Sequence, residues 1–314
     1  MKPPSALLIG LAIVAALALI GWFSISQSSS KSSSSSIGAM TMTTTAGSQN
    51  EDMSTMDHGS AHTTTGMTMD ETGSMKGMIP LVAGADGTKA SAAGLTLAPA
   101  HTTLTARRPT RWQLRITDKT GMAITDFERD QTKLMHLIVV RSDLTGYQHL
   151  HPMLGSGGVF SVELRLPKPG SYRAIADFTT SGKRYAIGAS LDVPGMATES
   201  PLPAEAMSAE ADGYSVMVVH KSVMAGSEAQ LDFTIEKDGK PLSALLPYLG
   251  AYGHLVALRK PNLAYSHVHP TSENRAKGMI GFGAEFPRSG TYRLFLQFRT
   301  SSGVHTAPFT IRIG

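Results

Sequence analysis

Leu166-Pro-Lys-Pro-Gly-Ser-Tyr-Arg-Ala-Ile-Ala-Asp-Phe178 and Phe286-Pro-Arg-Ser-Gly-Thr-Tyr-Arg-Leu-Phe-Leu-Gln-Phe298 align without a gap. Each reads as a Pro/Gly turn entering a strand, with Tyr172 and Tyr292 placed as structural corner residues. Working outward, the likeness continues in both directions. Trp112, Leu114 and Ile116 fall on Leu231, Phe233 and Ile235, and Gly94 to His101 matches Gly213 to His220 in spacing. His136, His149-Leu-His151-Pro152 recurs 118 residues later as His254, His267-Val-His269-Pro270, with thirteen positions between the first and second histidine in both copies. The chain therefore carries one unit twice.

Alternating apolar positions, Gly and Pro punctuation and evenly spaced short runs mark both units as antiparallel β-structure. Strands are expected near 94–98, 110–117, 134–141, 146–151, 158–165, 171–178 and 184–193. In the second unit they are expected near 213–219, 229–236, 253–259, 264–269, 279–286, 291–298 and 304–313. The fold class is all-β: two tandem seven-stranded immunoglobulin-like or cupredoxin-like sandwiches following an N-terminal transmembrane helix and a disordered linker. The division is 1–23, membrane anchor or signal sequence; 24–78, Ser/Thr/Met-rich tail; 79–195, first sandwich; 196–210, Pro/Ala/Glu-rich linker; 211–314, second sandwich.

Ser5 to Phe23 is apolar and uncharged behind Lys2, as in a signal sequence or a short membrane span. At 19 residues it is long for a signal core and no Ala-x-Ala follows it, so an uncleaved single-pass anchor with its C-terminal side outside the cytoplasm is expected. A cleaved leader would make the protein secreted. The absence of cysteine excludes disulfides, thiolate zinc sites, iron–sulfur clusters and cysteine-ligated blue copper. A net charge of +4 that is not gathered into basic runs gives nucleic acid no footprint.

Eight of the seventeen methionines lie in residues 24–78, in Met-x-Met or Met-x-x-Met pairs that include Met53/Met56 and Met67/Met69, with His58 and His62 among them. Thioether sulfur is a soft neutral ligand suited to Cu(I) and Ag(I). This segment resembles the Met-rich copper-binding tails of copper transporters and of periplasmic copper- and silver-binding proteins, and it also reads as a plain low-complexity spacer.

His149 and His151 alternate on a predicted strand, so both imidazoles leave one face roughly 6.5 Å apart. A hairpin around residues 142–146 sets His136 opposite one of them and facing the same way. The same geometry applies to His254, His267 and His269. Each unit is thus expected to hold its own three-histidine set, suited to Zn(II), Cu(II) or Ni(II). Met135 and Met153 flank the first set and would shift it towards Cu(I), whereas His305 is a candidate fourth ligand for the second. Structural use of the histidines, hydrogen-bonded to neighbouring carbonyls, is the competing expectation.

Gly239-Lys-Pro-Leu-Ser-Ala-Leu-Leu-Pro-Tyr-Leu-Gly-Ala-Tyr-Gly-His-Leu-Val256, followed by His267-Val-His-Pro270, resembles an uncharacterised domain recurrent in bacterial secreted and membrane-anchored proteins. The first copy departs from it in Phe127-Glu-Arg-Asp-Gln-Thr-Lys-Leu-Met-His136. The resemblance implies the fold and an extracytoplasmic location. Taken together, the sequence points to a membrane-anchored metal-binding protein: a chaperone, scavenger or resistance factor for copper, with zinc as the alternative ion and a protein partner for metal transfer. The alternative is a non-catalytic cell-surface interaction module with structural histidines. No serine or cysteine nucleophile motif is present and no carboxylate is fixed beside both histidine sets, so no enzyme is expected.

Overall fold

The computed structural model describes residues 79–314 apart from residue 267, all within one compact unit, Ala61–Gly314. The expected anchor and tail, with Met53, Met56, His58, His62, Met67 and Met69, lie outside the described residues, as does His267. Among the described residues no helix is long and apolar enough to cross a membrane.

The first repeat contains β1 (Leu81–Asp86), β2 (Ser91–Ala92), β3 (Leu95–Pro99), β4 (Thr110–Thr117), β5 (His136–Arg141), β6 (Gln148–Leu150), β7 (Met153–Leu154), β8 (Phe160–Leu164), β9 (Gly170–Thr180) and β10 (Lys183–Val193). One sheet has the order β1-β10-β9-β5-β6 and the other β2-β3-β4-β8-β7. The second repeat contains β11 (Ser208–Ala211), β12 (Tyr214–His220), β13 (Glu228–Lys237), β14 (Lys240–Pro241), β15 (Gly253–Arg259), β16 (Ala264–Ser266), β17 (Val268–Asn274), β18 (Met279–Glu285), β19 (Gly290–Thr300) and β20 (Gly303–Ile313). Here the sheets are β11-β12-β13-β18-β17, with β14 against β13, and β16-β15-β19-β20. All fourteen expected strands are present. The short β1, β2, β7, β11 and β14 were not expected, because two to six residues give too little periodicity to read, and the single strand expected near 264–269 divides between β16 and an unexpected β17 in the opposite sheet.

Each sandwich closes over its own core. Trp112, Leu114 and Ile116 on β4 point inward against Phe160, Phe178 and Ile187, while Leu231, Phe233 and Ile235 on β13 pack with Phe282, Phe298 and Phe309. The two corner tyrosines are used identically: Tyr172 donates to the Lys168 carbonyl at 2.8 Å and Tyr292 to the Arg288 carbonyl at 2.7 Å. In each case the hydroxyl locks the turn four residues upstream of it.

The sandwiches are joined through equivalent faces. β5 is buried at all six positions and β15 at six of seven, so neither alternates as a strand with one wet face would. Leu137 and Val139 enter the first core and Leu255 and Ala257 the second. The intervening Ile138, Val140, Val256 and Leu258 meet Ile175, Tyr265 and Phe295 in a third cluster shared by both repeats. Each such aliphatic side chain, fully buried, contributes about 1.5–3 kcal/mol. Tyr147 stacks on Phe295 across the junction with ring centroids 3.9 Å apart and planes 6° from parallel.

The connector is pinned as well. Ser200 N–H donates to Asp143 Oδ2 at 2.9 Å, and Arg141 Nη2 donates to the Thr198 carbonyl at 3.0 Å. Beneath the apolar contact lies a buried ionic group. Arg184 donates through Nε and Nη2 to the two oxygens of Asp177 at 2.9 and 2.6 Å, and Tyr265 of the second repeat donates to Asp177 Oδ2 at 2.6 Å. Burial by itself would lower the affinity of Arg184 for its proton; Asp177, Tyr265 and Asp130 together raise it. Replacing Tyr265 by Phe removes a donor from a buried carboxylate. It is expected to cost about 1–3 kcal/mol in chemical denaturation of the full chain, with the unfolding slope unchanged.

A candidate metal centre between the two sandwiches

On β5 and β15 the residues preceding the interfacial pairs Ile138/Val140 and Val256/Leu258 are His136 and His254, on the same outer faces. His136 and His254 sit across from Asp177 and Gln297 in the ladders to β9 and β19. The β5–β6 register pairs Leu137 with Leu150 and Ile138 with His149, so β6 brings His149 onto the face that carries His136. Docking of the sandwiches then gathers one histidine from the second repeat onto two from the first. One ring nitrogen from each of His136, His149 and His254 lies within 4.8 Å of those of the other two, and all three side chains are buried.

The three histidines expected in the first repeat do come together, but the expectation of a separate set in the second repeat is corrected for His254. His254 joins His136 and His149 because its strand face is turned to the first sandwich. His151 is adjacent, its ring centroid 4.7 Å from His149 and 5.1 Å from His136. His269 lies beyond the point where the chain leaves β16 for the opposite sheet; it pairs with Gly283 on β17–β18. Met135 does not flank the site, because strand alternation turns it into the first core, where it is fully buried. Met153 follows the crossover at Pro152 onto β7 and is 79% exposed. His305 faces the inner side of its sheet against Tyr214 and Phe298, where Nδ1 meets Asp212 Oδ2 at 2.9 Å and Nε2 meets Thr300 Oγ1 at 2.8 Å. It is not a fourth ligand to His254.

The outer nitrogens of the three rings all face oxygen acceptors. His136 Nε2 lies 3.2 Å from the Asp130 carbonyl, His149 Nδ1 lies 2.7 Å from Gln297 Oε1, and His254 Nδ1 lies 2.6 Å from Gln131 Oε1. The Gln297 amide is oriented by its Nε2, which donates to Thr306 Oγ1 at 3.2 Å. These partners assign the hydrogens to the outer nitrogens and the lone pairs to the inner ones.

His136 Nδ1 and His149 Nε2 face one another at 3.0 Å, an N–H···N hydrogen bond if either ring carries its hydrogen inward and a lone-pair contact in the tautomers assigned above. A shared proton would relieve that contact, but it would create a buried imidazolium. Burial lowers the His136 pKa, opposed mainly by the Asp177 charge, and it pushes His149 well below the usual histidine range, helped by the neighbouring His136 and His151. His151 is pushed down to about 3, by burial first and then by His136 and Lys133. Neutral imidazoles with inward lone pairs are what a metal cation binds.

Gln131 reaches His254 from a tight turn. Asp130 and Lys133 exchange backbone hydrogen bonds at 2.9 Å around Gln131 and Thr132, both at positive φ (43° and 70°). A β-branched residue in left-handed backbone is a strained choice. The second repeat builds the matching turn from Leu249 (φ 56°) and Gly250 (φ 87°), bridged by Tyr248 and Ala251, and Gly250 packs near Thr132 Cγ2. The sequence departure in the first copy thus keeps the turn and changes its tip from Leu to Gln, which supplies the acceptor for His254.

Sequence reasoning missed Gln131, Gln297, Asp177 and Arg184. A signal existed for two of them: Asp177 and Gln297 are polar residues at matching places in otherwise apolar strands, Ala-Ile-Ala-Asp-Phe and Leu-Phe-Leu-Gln-Phe.

Fold and site define a tandem β-sandwich protein with a buried histidine cluster at the junction of its repeats. The model of the family described as a domain of unknown function (DUF8832) matches residues 90–195 and again 209–314, and the chain belongs to that family. No curated protein matches it. Among solved structures, the Escherichia coli adhesin FdeC shares 13% identity over 71% of this chain and 65% of its own, with a TM-score of 0.24. The Yersinia pseudotuberculosis adhesin InvE shares 13% over 71% and 60%, with a TM-score of 0.23. The D00-D0 domain of intimin shares 12% over 70% and 99%, with a TM-score of 0.22. The chain spans less than two thirds of the length of the first two.

Nitrogen-detected NMR of the imidazoles at neutral pH is expected to show His136 with its hydrogen on Nε2 and His149 with its hydrogen on Nδ1. Gln297→Ala removes the acceptor that fixes His149 and is expected to scramble that tautomer while leaving His136 as it was. Imidazolium signals from either ring at neutral pH would contradict the assignment.

Proposed function

We propose that this protein binds a transition-metal ion between its two sandwiches through His136, His149 and His254. One observation carries the reading: one nitrogen from each of three buried imidazoles lies within 4.8 Å of the others, His136 Nδ1 and His149 Nε2 facing at 3.0 Å, with an oxygen against the opposite nitrogen of each ring. A cation turns that contact into coordination. The ligand atoms are nitrogen only, which suits Zn(II) and Cu(II); soft Cu(I) capture is assigned to the methionine pairs of residues 24–78. With residues 1–23 read as a membrane anchor, the chain is a tethered extracytoplasmic copper- or zinc-handling protein that holds or relays metal and passes it to a protein partner. It performs no chemical transformation of its own.

Because ligands come from both repeats, binding and docking are linked: an ion that binds only the closed arrangement stabilises it by mass action. A second reading, a surface interaction module whose histidines seal the junction, is supported by the near-parallel stacking of His136 on His254 (8°) and His149 on His254 (18°).

The test is elemental analysis of the full chain after exposure to Zn(II) or Cu(II) and desalting. His136→Ala and His254→Ala are each expected to lose the same single ion relative to the unaltered protein. Equal metal content in all three would overturn the proposal in favour of the sealing role, and loss in only the His136 variant would overturn the shared site. Gln297→Ala and Gln131→Ala are expected to retain the ion with affinity lowered about 10–100-fold, measured by competition with a chromophoric chelator.

A further inference from the structure

His151 stands beside the three-histidine set without belonging to it by distance. Register continues from the Leu137–Leu150 pair to place it across from His136, on the outer face of the sheet. Its ring meets those of His136 and His149 edge-on, at interplanar angles of 84° and 67°, whereas the other three rings stack. Its Nε2 is shielded from solvent and has no hydrogen-bond partner among the described residues. A buried ring nitrogen left unsatisfied in this way is uncommon and costly. Gln131 and Gln297 are already committed to His254 and His149, and Asp177 to Arg184 and Tyr265.

We infer that His151 is the fourth ligand, which turns about its Cα–Cβ and Cβ–Cγ bonds to direct Nε2 into the set and closes a four-imidazole shell around the ion. The inference rests on the metal-binding reading above and adds two things to it. A closed shell of four neutral nitrogens fits an ion content with tetrahedral geometry, and Zn(II) is the divalent ion that most regularly takes it. With all four positions filled by protein, no water is held on the metal to be activated, so the centre holds or hands on its ion and has no hydrolytic step. The spacing in His149-Leu-His151 then has a reason: the first histidine lies on the sheet face within the junction and the second reaches in from the rim, just past the end of β6 at Leu150.

The experiment is zinc K-edge X-ray absorption on the full chain loaded with less than one equivalent of Zn(II), so that the tightest site is filled, with His136→Ala as the control for binding elsewhere. Four imidazole scatterers are expected in the unaltered protein. Three, with an oxygen in place of the fourth, are expected in His151→Gly, and added free imidazole is expected to restore the count to four. Three imidazoles plus oxygen in the unaltered protein, unchanged in His151→Gly, would overturn the assignment of His151 while leaving the three-histidine site intact. A zinc environment identical in the unaltered protein and in His136→Ala would instead remove the underlying site. Should His151→Gly fail to fold, the count in the unaltered protein decides the matter by itself.

Discussion

Everything distinctive in this molecule depends on the burial of both faces of β5 and β15. In an isolated sandwich the outer face of each sheet would meet water and carry polar residues. Here Ile138, Val140, Val256 and Leu258 occupy those outer positions and are covered by the other repeat, with Tyr265 and Phe295 completing the contact. The apolar stripe ends at His136 on one strand and His254 on the other, so the force that joins the sandwiches also brings the two histidines together. The buried Asp177–Arg184 pair, with the Tyr265 hydroxyl on Asp177, then holds the alignment that the non-directional apolar contact leaves loose.

The duplication produces this arrangement cheaply and then breaks its symmetry. Equivalent faces meet, as in a two-fold dimer fused into one chain. Yet the cross-strand partner of His136 is an aspartate and that of His254 a glutamine, and the turn carrying Gln131 has leucine at the matching place in the other copy. These substitutions give one repeat a charged anchor and supply the Gln131 oxygen to His254 and the Gln297 oxygen to His149. A single asymmetric centre follows, where two copies of a site had been the simple expectation.

The chemistry of the cluster comes from burial. Desolvation keeps the imidazoles neutral, and carbonyl and amide oxygens draw their hydrogens outward. Neither thioether near the set in sequence contributes: Met135 is consumed by core packing and Met153 is carried to the other sheet. The absence of both thioethers from the histidine cluster is therefore a property of strand alternation and of the crossover at Pro152, and not of composition.

By itself the sequence determined the repeat, the strand-rich class, the positions of fourteen strands and the two tyrosine corners. These follow from local period, turn chemistry and self-similarity, each contained within a few residues or one internal comparison. It also made legible that His136 faces the same way as His149 and His151, because hairpin register is a local property. Only the tertiary structure decided that His254 completes their set, that His269 crosses to the second sheet, and that Gln131, Gln297 and Asp177 surround the site. Those outcomes depend on which outer face meets which across more than a hundred residues of chain, a matter of shape and desolvation between whole sheets that no spacing within one strand encodes.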